Sequence, residues 1–295
     1  MSFKKRLTLG ALSATLGLSL LVGGTWAAFN DIENLNGKVA AGTFSLNLQD
    51  AADKGPKSFT ISNLKPGDKM TRTIKLVNDG TIAIKDVLLS IENVNFIDYV
   101  PTEGQAGFGD TDVYGENNVL QYLDQFKVTV VNVGAEGGSG WPIDIIGKDG
   151  EEGPAITLKD LYVQTAKTKP ADASNGDITS AENKFKNTQF VREGYFIDGR
   201  LNVAPLAKDY KTKEEKDKYA GVPATAPGNW HEVQITIEFK DEDKKDSRGV
   251  YEQNKFQGDK ADVKFTFEAR QWDGQVVTED GPVESNKKPN NGKGF

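Results

Sequence analysis

Most of this chain alternates apolar with polar residues, the two-residue period of a strand with one buried face. Phe44, Leu46 and Leu48 share one face of residues 43–49, and Phe59 and Ile61 share one face of the next run. Ile74 and Leu76 follow, then Ile82, Ile84 and the dense cluster Val87-Leu88-Leu89-Ser90-Ile91, which predicts a longer and more deeply buried strand. Phe126, Val128 and Val130 alternate, as do Val233, Ile235, Ile237 and Phe239, and the final run is Val263, Phe265, Phe267 and Ala269. The breaks between runs carry turn chemistry. In Lys65-Pro66-Gly67-Asp68 the proline suits the second position of a type II turn, and the glycine the third, where φ is positive. Asn78-Asp79-Gly80 is a second such break. Strands so far apart in sequence must pair non-locally, which predicts an all-β sandwich.

Helical spacing is rare. Asn118 stands where it would cap a short helix with Val119, Tyr122, Leu123 and Phe126 recurring along it, and Thr157-Leu158-Lys159-Asp160 resembles a capping box opening a helix over 158–167. Residues 211–218 are a charged run, read as a solvated helix or loop. The polar, glycine-rich stretches 102–117, 135–153 and 169–183 are predicted to be loops between strands. Residues 276–295, rich in Lys, Asn, Gly and Pro, are predicted to be a disordered tail. One globular domain over 42–275, with loop insertions, is the expected organisation.

The N-terminus departs from this pattern. Lys4, Lys5 and Arg6 precede an apolar stretch from 7 to 22, too short to span a bilayer comfortably, and Gly23-Gly24 leads into Thr25-Trp26-Ala27, a small-x-small cleavage site. Residues 1–27 are read as a secretory signal peptide cut between Ala27 and Ala28, the alternative being a retained anchor. Cleavage removes three positive charges and no negative one from a chain whose net charge is already −7. That acidity argues against nucleic-acid binding, which needs a basic face to displace counterions.

The inventory of reactive side chains is thin. With no Cys and one His among 295 residues, the chain has no disulfide, no thiolate site and no two-histidine metal site. His231-Glu232 begins like a zincin motif, but the second His is missing: position 235 is Ile, and the surrounding alternation is that of a strand. His231 is expected to face solvent at a strand start. Asp241-Glu242-Asp243 with Asp246 resembles part of a calcium loop, yet Lys245 stands where an oxygen ligand belongs and Asp246 where glycine should turn, so a charged hairpin connection is expected. Gly137-Gly138-Ser139-Gly140 lacks the Gly-Lys-Ser/Thr ending of a phosphate loop, and no Gly-x-Ser-x-Gly elbow occurs. No catalytic residue, metal ligand or cofactor site is assigned.

Several blocks, in order along nearly the whole chain, resemble the TasA/camelysin family of exported matrix proteins. They are Gly23-Gly24-Thr25-Trp26-Ala27-Ala28-Phe29-Asn30-Asp31-Ile32, Ala41-Gly42-Thr43-Phe44-Ser45-Leu46, Asn63-Leu64-Lys65-Pro66-Gly67-Asp68-Lys69 and Asn78-Asp79-Gly80-Thr81-Ile82-Ala83-Ile84-Lys85-Asp86-Val87-Leu88. Leu158-Lys159-Asp160-Leu161-Tyr162, Asn254-Lys255-Phe256-Gln257-Gly258-Asp259 and Phe265-Thr266-Phe267-Glu268-Ala269-Arg270-Gln271-Trp272 complete the set. The stretches 102–116 and 169–184 look longer than that pattern expects.

The resemblance implies a jelly-roll sandwich, processing by a dedicated signal peptidase, and a homo-polymer: extracellular biofilm matrix fibres built by donor-strand complementation. The donor would lie within 28–41, carried by Ala28, Phe29, Asn30, Asp31, Ile32, Leu35 and Val39. Their own spacing of three and four, at Phe29, Ile32, Leu35 and Val39, suits a short helix better than a strand, so the donor role comes from the resemblance alone. A frayed terminus is the alternative. The resemblance also implies a minor anchoring or assembly protein and leaves room for contact with matrix polysaccharide. Because camelysin relatives are classed as surface metalloproteases, a peptidase is the competing reading, and an adhesin acting through the sandwich loops is a third.

Overall fold

In a computed structural model, the described residues are 45–50, 58–105, 107–110, 114–134, 142–147, 155–225, 228–274 and 283–295. They form two antiparallel sheets facing each other across one core. In chain order the strands are β1 (Leu46–Asp50), β2 (Ser58–Ile61), β3 (Lys69–Asn78), β4 (Ile84–Ile97), β5 (Phe126–Gly134), β6 (Ile143–Ile146), β7 (Phe196–Ile197), β8 (Arg200–Asn202), β9 (Trp230–Phe239) and β10 (Lys260–Gln271). The first sheet runs β1-β3-β9-β5-β6 and the second β2-β10-β4-β8-β7, five strands each. This is the all-β sandwich with few short helices that the alternation predicts. Chain neighbours from β2 to β5 lie in opposite sheets, so their pairing is non-local, whereas β5–β6 and β7–β8 pair with their neighbours in the chain.

The inward residues are those of the alternating pattern. Leu76, Val128, Val130, Val233, Ile235 and Ile237 from the first sheet meet Phe59, Ile61, Val87, Leu89, Ile91 and Val263 from the second. All twelve are essentially sealed from solvent, and burying side chains of this kind contributes about 1.5–3 kcal/mol each before the entropy of ordering is subtracted. Phe59 and Phe265 meet edge to face at 5.1 Å, and Phe126 packs against Phe239 at 5.0 Å.

The turn at Lys65-Pro66-Gly67-Asp68 forms as its residues demand: Gly67 has φ +86° and the Asp68 N–H donates to the Lys65 carbonyl at 2.9 Å. At Asn78 the side chain closes the next turn, accepting from the Gly80 N–H and donating to the carbonyls of Ile82 and Val222, each at 2.9 Å. Gly221, with φ +68°, lets the chain pass so close to β4 that a Cβ there would stand 2.1 Å from the Ile84 carbonyl oxygen.

Helices sit in the connections. Asn118 caps α1 (Val119–Leu123) and Thr157 caps α2 (Leu158–Thr165), both through full capping boxes. Where 169–183 was expected to be a loop, Ser174 caps α3 (Asn175–Lys186) with Asp177 as its reciprocal partner. The apolar positions Ala181 and Phe185 are four apart and pack inward. The sequence signal was there, as Ser-x-x-Asp, but polar neighbours masked it. The charged run is helical in α4 (Lys213–Tyr219), and β6 lies inside the stretch 135–153 that was also read as loop. In the polar tail, Val283–Lys287 and Pro289–Gly292 form 3-10 turns, Pro289 and Asn291 are buried, and Phe295 packs against Trp272 at 5.8 Å.

Candidate functional site

β10 is paired along its whole length on one side and along a third of it on the other. Against β4 its register runs from Lys260 opposite Ile97 to Gln271 opposite Ile84. Against β2 only Ala261 to Lys264 are matched. Among the described residues, no strand lies beside residues 265–271 on the side away from β4. The first sheet has a gap of its own: β1 covers Ile74 to Asn78 of β3, and no described strand covers 69–73 on that side.

The bare stretch of β10 is not a frayed end. Its inward residues continue the core, Phe265 fully and Phe267 and Ala269 in part. Its outward residues are pinned: Arg200 holds Glu268 at 2.6 Å, with Lys167 at 3.6 Å. The Arg200 hydrogen bond holds the Glu268 carboxyl below its ordinary range. Arg270 spans Asp86 at 2.7 Å and Asp198. A strand held on two faces, with half-covered Phe267 and Ala269 beside a row of N–H and C=O groups that no described strand pairs, presents hydrogen-bonding partners and apolar area together.

The residues expected to matter most, Ala27, Ala28, Phe29, Asn30, Asp31, Ile32, Leu35 and Val39, lie outside the described residues. The edge on β10 was not found from sequence. Its inward residues were identified, but which strand stands beside which is a matter of tertiary pairing.

His231 corrects an expectation. It is fully buried, not solvent-facing, and stands opposite Leu76 in the β3–β9 ladder. Parity carried the signal: 231 shares the odd-numbered face of Val233, Ile235 and Ile237. Burial pushes its pKa down to about 3, against a smaller opposing effect of a hydrogen bond with the Tyr219 backbone. The imidazole is therefore a neutral core group. Among the described residues no three His, Asp or Glu side chains converge as metal ligands. The residues present do not fit a peptidase zinc, since the one imidazole is enclosed within the β3–β9 ladder and engaged by the backbone. The acidic run at Asp241-Glu242-Asp243 begins a connection from β9 to β10 in the other sheet, so the expected hairpin does not join these two strands; a hairpin bridge forms only within it, between Lys245 and Tyr251, and Lys240 holds Glu242 at 2.8 Å.

Comparison with known proteins adds two findings. The family described as camelysin metallo-endopeptidase matches residues 2–119 and 207–276. The stretch between them carries β5 to β8, α2 and α3, so the matched part includes both β2 and β10. A protein of Bacillus subtilis (strain 168), named the major biofilm matrix component, is 39% identical over 295 residues, covering 98% of this chain and 97% of its own length.

Proposed function

We propose that this chain, which belongs to the camelysin family, is an extracellular structural subunit of a biofilm matrix that polymerises by donating its N-terminal segment to a neighbour. In this reading residues 1–27 are removed, Ala28 becomes the free terminus, and residues 28–39 of one copy lie along residues 265–271 of the next. The half-covered β10 is the observation that carries it. An added strand satisfies the unpaired backbone groups and covers Phe267 and Ala269. In an extended conformation Phe29, Leu35 and Val39 share one face, three of the five apolar residues of the segment, with Ala28 and Ile32 on the other. Donor and acceptor occupy different places on each copy, so the contact is heterologous and propagates instead of closing. A dedicated signal peptidase, a minor anchoring protein and matrix polysaccharide are the partners that go with this reading. Support comes from the name of the Bacillus subtilis relative and from the edge geometry.

The test is made on mature protein lacking residues 28–37. It should stay a folded monomer and give no fibres by electron microscopy. A synthetic peptide of residues 28–39 added to it should slow amide exchange at 265–271. Fibres that form normally without the segment, or a peptide that protects some other strand, would refute the donor role.

The family description favours a second reading, a surface peptidase. A casein digestion by purified mature protein, with and without chelator, distinguishes the two: chelator-sensitive cleavage would establish the peptidase, and none is expected from a subunit whose single imidazole is a core residue.

A further inference from the structure

Where β3 begins, β9 ends and β10 begins, the chain encloses a cavity of about 520 Å³, within the size range of small-molecule sites. Its walls are fixed before any ligand arrives. The turn at Gly67 is tied to the end of β9 by Gly67 N–H to the Phe239 carbonyl at 2.8 Å and Phe239 N–H to the Asp68 carbonyl at 3.0 Å. Opposite, Gln253 donates to the Lys240 carbonyl at 2.9 Å and to Gln125 at 3.2 Å, and accepts from the Glu242 N–H at 3.1 Å.

At one end of the cavity lining stands a buried carboxyl. It belongs to Asp259, which is 2% exposed. Its carboxyl oxygens accept from the Tyr99 N–H at 2.9 Å and the Asn117 amide at 3.0 Å. The Asp98 carboxyl lies within hydrogen-bonding reach of it. At the mouth, Asp241 and Asp243 are exposed and form no ion pair among the described residues, leaving Lys65 as the opposing charge of the lining. The side walls are apolar: Tyr122, Phe239 and Phe256 line them with their rings almost wholly enclosed. Tyr251, the exposed ring at the rim, has the Lys245 ammonium over its face at 4.3 Å. What the cavity asks for is positive charge at both ends of an aliphatic stem.

We propose that this cavity binds an aliphatic di- or polyamine, or the lysine side chain of another chain, with an ammonium group against Asp259 and the stem along Tyr122, Phe239 and Phe256. Asp241 and Asp243 attract the second charge, or the charge as it enters. This site is separate from the bare edge of β10, so it stands whether or not the strand-donation reading holds.

The measurement is a titration of mature protein at pH 7.5 with spermidine, 1,4-diaminobutane and N-acetyl-lysine methylamide, followed by amide NMR shifts. Saturable shifts confined to residues 63–66 and 239–259 are expected, and none from 1,4-butanediol. The pair Asp241→Asn and Asp243→Asn, both exposed and outside the core, should weaken binding about tenfold. Asp259→Asn should abolish it while circular dichroism stays native. The stronger of the polyamine and lysine-derivative arms identifies the source of the amine. Shifts reproduced by sodium chloride at equal ionic strength, binding unchanged in the rim variant, or shifts from the diol equal to those from the diamine would overturn the proposal.

Discussion

His231 and Leu76 face each other across the β3–β9 ladder, both at 0% exposure. An imidazole in that place is neutral when folded and regains its ordinary pKa near 6.5 when unfolded, whereas the folded value is about 3. Between those values the unfolded chain binds the extra proton, so the contribution is complete above pH 6.5 and is lost as pH falls towards 3. His231→Gln removes this proton uptake. It should cost stability at pH 7, through lost packing, yet flatten the decline below pH 6.5. Urea midpoints at pH 7 and pH 4.5 for both proteins check this: the gap between variant and parent must narrow on acidification.

Asp259 has the opposite sign. Burial first, and then the neighbouring Asp98, push its carboxyl up to about 6 from 3.8. The folded state then holds a proton that the unfolded state releases, so this contribution is full below pH 3.8 and is lost as pH rises through 6. The whole effect is at most about 3 kcal/mol. Asp259→Asn should therefore gain on the parent as pH rises from 5 to 8, read as a growing difference in urea midpoint. A constant difference would show that this carboxyl titrates normally.

Arg270 is the partner that makes a buried Asp86 tolerable: the carboxylate is 2% exposed and the guanidinium lies 2.7 Å away. Arg270→Met leaves that charge enclosed and should cost about 3 kcal/mol. Adding Asp86→Asn should recover a large part of the loss, because the Asn202 amide, 3.5 Å from Asp86, can meet an uncharged neighbour. Thermal melts of the two single variants and the double variant form the cycle.

Two glycines of similar φ separate strain from collision. Gly67→Ala at φ +86° meets nothing within 4 Å, whereas Gly221→Ala at φ +68° drives a Cβ to 2.1 Å from the Ile84 carbonyl oxygen. The first should cost about 1 kcal/mol of backbone strain. The second should cost several times that and loosen the Ile84–Val222 bridge, seen as faster amide exchange at both residues.

What the sequence determined by itself was whatever depends on local period and cap chemistry. Alternation placed Val233, Ile235, Ile237, Val263 and Phe265 on inward faces. Asn118 and Thr157 began their helices, and Pro66-Gly67 made its turn. Even the buried imidazole was readable from its parity, though its polarity pointed outwards. Tertiary structure decided everything that depends on which strands become neighbours. A strand's own residues fix which face turns inwards, but its edge is satisfied or left bare by chain from elsewhere. β2 reaches only as far as Lys264, so residues 265–271 keep an unpaired side among the described residues. In the same way, Asp259 and Tyr99 lie far apart in the chain and meet because β4 and β10, whose ends they flank, run side by side. Backbone hydrogen bonding between strands is indifferent to side-chain identity, and so pairing is the part of this fold that composition and spacing do not encode.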